Sequence, residues 1–225
     1  MIAKKTIELQ GIRIENSTQR TITILGGKGT GKTTLLKMLL KQLSKVIVLD
    51  PLNVINSKSI DAYRITVNKH YTDKEVMNIA KVANEILKKN HNIVISLTNM
   101  IREEEVIFAN ELIPKLNFKD GYMFVDEIHE FAPLHSGSLE IERFVRHCRN
   151  KNIGVVMTSQ RPASVKKDVL ALTDYLIIFR VTWTHDLKAI EDLIKNQCDK
   201  EEQRKILSNI QTGSFMEGYL IDYRD

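Results

Sequence analysis

Short apolar runs rich in β-branched residues punctuate the chain: TITIL (21–25), VIVL (46–49), IVISL (93–97), YMFV (122–125), IGVVMTS (153–159) and TDYLIIFR (173–180). Runs of this kind, apolar without strict alternation, predict strands buried on both faces. Between them, apolar residues recur at the three- and four-residue spacing of one helix face. Leu35, Leu36, Leu39, Leu40 and Leu43 form one such stripe. Val76, Ile79, Ala80, Val82, Ala83, Ile86 and Leu87 form another over 73–90, behind Thr72 or Asp73 as N-cap. Further helices are predicted over 102–116, with Pro114 near the end, over 138–152, and over 186–194 and 200–207. Strands alternating with helices imply a mostly parallel central sheet covered on both sides, an α/β three-layer fold. Residues 5–15 alternate apolar and polar around Gly11, the pattern of a small hairpin or edge strands, and 213–223 reads as a last strand pair or edge. With no repeats or linkers, residues 1–225 are expected to form one domain, 1–20 being a short N-terminal β extension.

The first strand, 21–25, runs into GGKGTGKTT. Gly26, Gly31, Lys32 and Thr33 fill every fixed position of G-x-x-x-x-G-K-[ST], between a predicted strand and a predicted helix as that motif requires. The segment Gly26, Gly27, Lys28, Gly29, Thr30, Gly31, Lys32, Thr33 and Thr34 is therefore the expected ATP-binding loop. Its backbone N–H groups form a donor nest for phosphate oxygens, and the helix that follows adds its positive end. Lys32 is expected on the β- and γ-phosphates and the Thr33 hydroxyl on Mg²⁺. A dinucleotide-binding G-x-G-x-x-G fails, because after Gly27 and Gly29 the third glycine falls on Lys32.

A second constellation closes the YMFV strand, which ends in Asp126 and Glu127. Asp126 is expected to hold Mg²⁺ through water, opposite Thr33. Glu127 is expected to polarise the attacking water. The strand 153–159 runs into Gln160, a carboxamide where a γ-phosphate sensor would sit. Arg143, Arg146 and Arg149 fall near one face of the predicted 138–152 helix. Asp50, before Pro51, either caps a turn or reaches toward the nucleotide, since ligands gather at strand C-terminal ends. His129 and His135 flank the loop after Glu127 and are expected at the surface; the six histidines show no metal spacing.

Composition narrows the partners more than the fold. The chain has 225 residues, 43% hydrophobic and 27% charged, with a formal charge of +5 that tilts the partner prior toward nucleic acid. Much of the excess lies early, where Lys4, Lys5, Arg13, Arg20, Lys28, Lys32, Lys37, Lys41 and Lys45 face only Glu8, Glu15 and Asp50 in the first 50 residues. Every apolar run is far shorter than the roughly 18 residues of a membrane span, and the N-terminus has no signal-peptide apolar region, so a cytoplasmic protein is expected. Cys148 and Cys198 fit reduced packing thiols.

Taken in order, GGKGTGKTT, VIVLDP, MFVDEIHEFAP, CRNKNIGVVMTSQRP and YLIIFR resemble the HerA/FtsK superfamily of DNA-pumping ATPases from about residue 20 onward, and most of all the small genome-packaging ATPases of membrane-containing and archaeal viruses. The resemblance implies a RecA-like fold of the additional-strand, catalytic-glutamate type. It implies a hexameric or pentameric ring that translocates double-stranded DNA with Mg-ATP, with a capsid or portal-region protein as a further partner. Lys32 and Thr33 are by that likeness the phosphate and metal residues, Asp126 and Glu127 the metal and catalytic carboxylates, and Gln160 the sensor. Arg149, eleven residues before Gln160 with Gly154 between them, is the arginine finger, Arg146 being the alternative. Unlike the larger members, this chain is expected to be without the N-terminal barrel of HerA and the membrane segments and DNA-orienting C-terminal domain of FtsK. A motor of conjugation or secretion, a small-molecule or nucleotide kinase and a non-motor ATP-binding assembly protein are the rivals. The kinase is disfavoured because Glu127 would activate water and no arginine-rich lid is evident.

Overall fold

The computed structural model describes residues 7–9, 12–14, 17–56, 60–214 and 217–223. Strands β1 (Ile7–Leu9) and β2 (Ile12–Ile14) pair antiparallel, Ile7 opposite Ile14, as the N-terminal alternation predicts; Gly11 lies outside the described residues. The chain continues through β3 (Thr21–Leu25), α1 (Lys32–Gln42), β4 (Val46–Asp50), β5 (Ala62–Asn68), α2 (Asp73–Lys88), β6 (Asn92–Thr98), α3 (Arg102–Leu112), β7 (Gly121–Val125) and α4 (Ile128–Phe131). It ends with α5 (Leu139–His147), β8 (Ile153–Ser159), α6 (Lys167–Leu170), β9 (Tyr175–Phe179), α7 (Thr184–Ile194), α8 (Lys200–Thr212) and β10 (Gly218–Asp222). Eight of the strands form one sheet in the order β10-β9-β3-β8-β7-β4-β6-β5, parallel throughout except where β10 runs against β9.

The fully buried strands carry alternating side chains into two cores. Ile22 and Ile24 of β3, Val46 and Val48 of β4, and Tyr122 and Phe124 of β7 meet the leucine stripe of α1 on one face. Ile47, Leu49, Met123, Val125, Val155 and Met157 point the other way, into the core built with α2, α3, α5, α7 and α8. That two-residue alternation is the strand's own periodicity, and it makes the three layers. Helix α2 starts where a capping box fixes it. Thr72 Oγ1 accepts from the Glu75 N–H at 3.3 Å, and Glu75 Oε2 accepts from the Thr72 N–H at 2.6 Å.

Some boundaries differ from the sequence pattern for local reasons. The helix predicted to residue 116 stops at Leu112 and tightens into a 3₁₀ turn over Ile113–Lys115, because Pro114 has no N–H to continue the ladder. The helix predicted over 138–152 stops at His147; Cys148–Lys151 form a 3₁₀ turn, which Asn152 ends with a left-handed φ of 55°. Strand β5 is an additional element at the sheet edge, paired only with β6. Both cysteines are free, Cys148 buried.

All of this places the site. The parallel strands end on one edge of the sheet, and β8 lies between β3 and β7, the inserted strand of the additional-strand layout. Leu25 pairs with Ser159, and Val125 with Met157, so the loop after β3, the Asp126 turn and Gln160 are neighbours.

Candidate active site

The loop between β3 and α1 takes the shape its glycines permit. Gly29 and Gly31 have φ of 75° and 112°, values a side chain would strain. Gly31 is the N-cap of α1 and its carbonyl accepts the Leu35 N–H at 2.8 Å, so the helix axis starts directly at the loop. Lys32 is buried, and its Nζ donates to the Gly27 carbonyl at 2.9 Å, as does Thr30 Oγ1 at 2.9 Å. The ammonium is thus held inside the loop. Burial pulls its pKa below that of an ordinary amine, while the nearby Glu127 and Asp126 carboxylates oppose the fall. Lys28, Gly29 and Thr34 are exposed, and Thr33 half-buried, at the rim.

Asp126 and Glu127 leave β7 in a sharp turn. Asp126 is 2% exposed and its N–H donates to the Leu49 carbonyl at 3.0 Å. Burial raises its pKa to about 6, helped by Glu127 and Asp50 and opposed by a Thr158 hydrogen bond and by Lys32. Glu127 then adopts φ 49°, ψ 58°, a left-handed conformation uncommon for a non-glycine residue. Thr158 ties the turn together: its hydroxyl donates to Asp126 Oδ1 at 2.5 Å and accepts the Glu127 N–H at 3.0 Å. The bend turns the Glu127 side chain back toward β8, where Oε2 accepts the Gln160 N–H at 2.9 Å. A carboxylate fixed beside a phosphate loop by the end of an adjacent strand can orient a water and take its proton.

The histidine expected at the surface is inside. His129 is 1% exposed, because α4 begins immediately after the Glu127 turn and folds the imidazole under it. Its Nδ1 lies 3.2 Å from Glu127 Oε2 and 3.1 Å from Ser159 Oγ, and its Nε2 lies 3.1 Å from Glu130 Oε1. Burial lowers the imidazole pKa, but hydrogen bonds and charge from Glu127 and Glu130 outweigh it, leaving the value raised to about 9. The hydrogen bond from His129 holds Glu130 down at about 2, and Glu130 Oε2 also accepts from Arg102 Nε at 2.8 Å. Glu105, buried nearby, is pushed up to about 7 by desolvation first and by Glu130 second. His135 does lie exposed.

Two further residues fall where the sequence left alternatives or suggested otherwise. Asp50 caps its own turn, Oδ1 accepting the Val54 N–H and Oδ2 the Ile55 N–H, each at 3.0 Å. Arg149 lies in the 3₁₀ turn, not on the helix, and pairs with Asp174. Asp174 also accepts the Thr21 N–H at 2.7 Å, which places Arg149 at the starts of β3 and β9, a strand length of about 15 Å from its own phosphate loop. Arg146 pairs along α5 with Glu142 at 3.0 Å. Thr158, Ser159 and His129 are site residues the motifs do not flag. Only the position of Thr158 and Ser159, just before Gln160 on the strand beside Asp126, hints at them.

The AAA domain family matches residues 14–164 of the chain. The probable DNA double-strand break repair helicase HerA of Methanocaldococcus jannaschii is 32% identical over 93 residues, 36% of this chain and 18% of that protein, so the match spans under a fifth of the relative's length. The genome packaging NTPase B204 of Sulfolobus turreted icosahedral virus 2, solved in complex with AMP, superposes with a TM-score of 0.60 at 15% identity, covering 91% of this chain and 93% of that one. VirB4 of Thermoanaerobacter pseudethanolicus superposes with a TM-score of 0.65 at 13% identity, covering 91% and 87%. At such identities the likeness is one of fold. The family match extends over more than half of the chain and takes in the loop, Asp126, Glu127 and Gln160, and by it the chain belongs to the AAA domain family of P-loop ATPases.

Proposed function

We propose that the chain is the ATPase subunit of a ring-forming, Mg²⁺-dependent translocase of double-stranded DNA, working in the host cytoplasm to package a viral genome into a capsid. The observation that carries the motor reading is the tether between Glu127 and Gln160. A single hydrogen bond of 2.9 Å joins Glu127 to the β8 end, and it supports a motor in which a change at the γ-phosphate would reach that strand. The DNA half rests on B204, a genome packaging NTPase whose fold covers 91% of this chain, and on the basic N-terminal stretch.

In this reading the loop N–H groups and Lys32 hold the β- and γ-phosphates, and Gln160 contacts the γ-phosphate. Thr33 and Asp126 would hold Mg²⁺. A hydroxyl and one carboxylate suit that ion, which keeps water and substrate phosphates as its other ligands, and among the described residues no group of three or more His, Cys, Asp or Glu could hold a metal. When bound, the metal neutralises developing phosphate charge. Glu127 Oε2 is occupied by donors, so Oε1 is the oxygen that takes the proton from the attacking water. Arg149 completes the site of an adjacent subunit, since it cannot reach its own.

A motor for another macromolecule is the second reading, favoured by the fold match to VirB4. Displacement of a triplex-forming strand from duplex DNA separates them: ATP-dependent release is expected, with a rate independent of sequence and falling steeply with salt. Vigorous hydrolysis with no displacement, on duplexes of any length, would remove DNA translocation.

A further inference from the structure

We propose that Trp183 is the platform on which the base of the bound nucleotide stacks, a purine for preference. The inference rests on the phosphate loop holding the triphosphate. The direction in which that nucleotide lies follows from the strand order. Asp126, Glu127 and Gln160, the groups that address the γ-phosphate, stand at the ends of β7 and β8, on one side of β3. The sugar and base therefore trail toward the other side of β3, where the neighbour is β9.

The end of β9 is in direct contact with the loop. The Gly27 N–H donates to the Arg180 carbonyl at 2.8 Å, and a Cβ placed on Gly26 would come within 2.7 Å of Phe179 Cβ. Three residues beyond Arg180 stands Trp183, 55% exposed, at the N-cap of α7. An indole is costly to leave in water and is here rigidly mounted. The Trp183 carbonyl accepts the Leu187 N–H at 3.0 Å, and the buried Asp186 accepts the Ala163 N–H at 2.9 Å, which fixes the start of α7 against the segment after Gln160. The His185 ring meets the indole edge-on, centroids 5.4 Å apart and planes at 73°. Arg180 and His185 are both exposed beside it. An anchored indole with an open face, next to a cationic side chain and at the base end of a phosphate site, suits a flat heteroaromatic ring. Stacking reads the π-face and not the hydrogen-bonding edge, so GTP should bind nearly as well as ATP, and pyrimidine nucleotides less well.

Trp183 is the only tryptophan in the chain, so its emission reports this position alone. Full-length protein is titrated with ATP and, separately, with inorganic triphosphate, with calorimetry in parallel on wild type, Trp183→Ala, Trp183→Phe and Lys32→Ala. ATP is expected to change the emission saturably. Triphosphate is expected to compete for the same site and leave the emission unaltered. Trp183→Ala should weaken ATP about tenfold, within the range of base–aromatic stacking, leave triphosphate affinity unchanged, and be largely rescued in Trp183→Phe. Equal ATP affinity in Trp183→Ala and wild type, or equal emission changes with ATP and triphosphate, would overturn the assignment alone. Emission that answers single-stranded DNA but not ATP would overturn it in favour of a nucleic-acid contact. Wild-type protein that binds neither ATP nor triphosphate would overturn the phosphate-loop reading, and this one with it.

Discussion

Replacing His129 with asparagine or with glutamine separates the two ends of the buried imidazole. Asparagine puts its amide nitrogen near the place of Nδ1 and keeps a donor on Glu127 Oε2; glutamine reaches the place of Nε2 and keeps the link to Glu130 instead. Losing a hydrogen bond to a charged group costs about 1.5–3 kcal/mol, so if His129 orients Glu127, glutamine should slow turnover by roughly 10- to 100-fold while asparagine slows it much less. Nucleotide affinity should hold in both, since the hydrogen-bonding partners of the ring are Glu127, Glu130 and Ser159, outside the phosphate loop.

Stability gives a second reading of the same residue. The pKa of His129 rises from 6.5 to about 9, worth about 3 kcal/mol of folding stability, and at 1% exposure little of that is screened. The depressed value of Glu130 describes the same ion pair and is not added. A raised pKa means that this stabilisation is fully present below about 6.5 and is lost as pH climbs through about 9. Urea denaturation of wild type and His129→Asn should therefore show a stability gap that narrows by about 3 kcal/mol between pH 6.5 and pH 9.5. A gap that ignores pH, together with equal turnover in the asparagine and glutamine variants, would refute a charged imidazole bridging the two carboxylates.

Lys32→Ala should abolish tight ATP binding, checked by calorimetry, because the loop then loses the ammonium held at the Gly27 carbonyl; unchanged affinity would remove the site. Thr158→Val keeps the shape but strips the tie between Asp126 and the Glu127 N–H, leaving a buried donor unsatisfied, and should cost about 1–3 kcal/mol in urea denaturation together with a clear loss of turnover. Arg149→Ala should lower hydrolysis by about 10³- to 10⁵-fold with binding intact, and mixing it with Glu127→Gln should restore some activity in shared rings. Mixtures that stay inactive despite proven co-assembly would rule out a finger across the interface.

What could be read beforehand follows from burial. Strands β3, β4, β7 and β9 are buried at every residue and bounded by clear breakers, so their apolar runs announced them and the residues at their ends. Strand β5 is only partly covered: in AYRITVN the residues Tyr63, Ile65 and Val67 share one face, but only Val67 is buried, and the polar residues between them leave no continuous apolar run to read. Helices α4 and α6 are four residues each, too short to show a period. The placement of His129 was invisible for a related reason. Nothing in DEIHEF tells that Glu127 turns left-handed, and that turn alone sends the following imidazole inward. The arginines at 143, 146 and 149 would share one stripe only on a helix that continued past His147; in the fold Arg143 and Arg146 pair with Glu140 and Glu142 on α5, and Arg149 with Asp174 at the other end of the sheet.

The most direct measurement is steady-state ATP hydrolysis by wild type and Glu127→Gln, each with and without duplex DNA of random sequence, at fixed Mg²⁺ and salt. A DNA-driven motor with Glu127 as its general base predicts that duplex stimulates the wild type, that Glu127→Gln still binds ATP but turns over about 10²- to 10⁴-fold more slowly, and that duplex does not rescue it. Wild-type hydrolysis indifferent to duplex, or a Glu127→Gln variant as fast as wild type, would contradict the account.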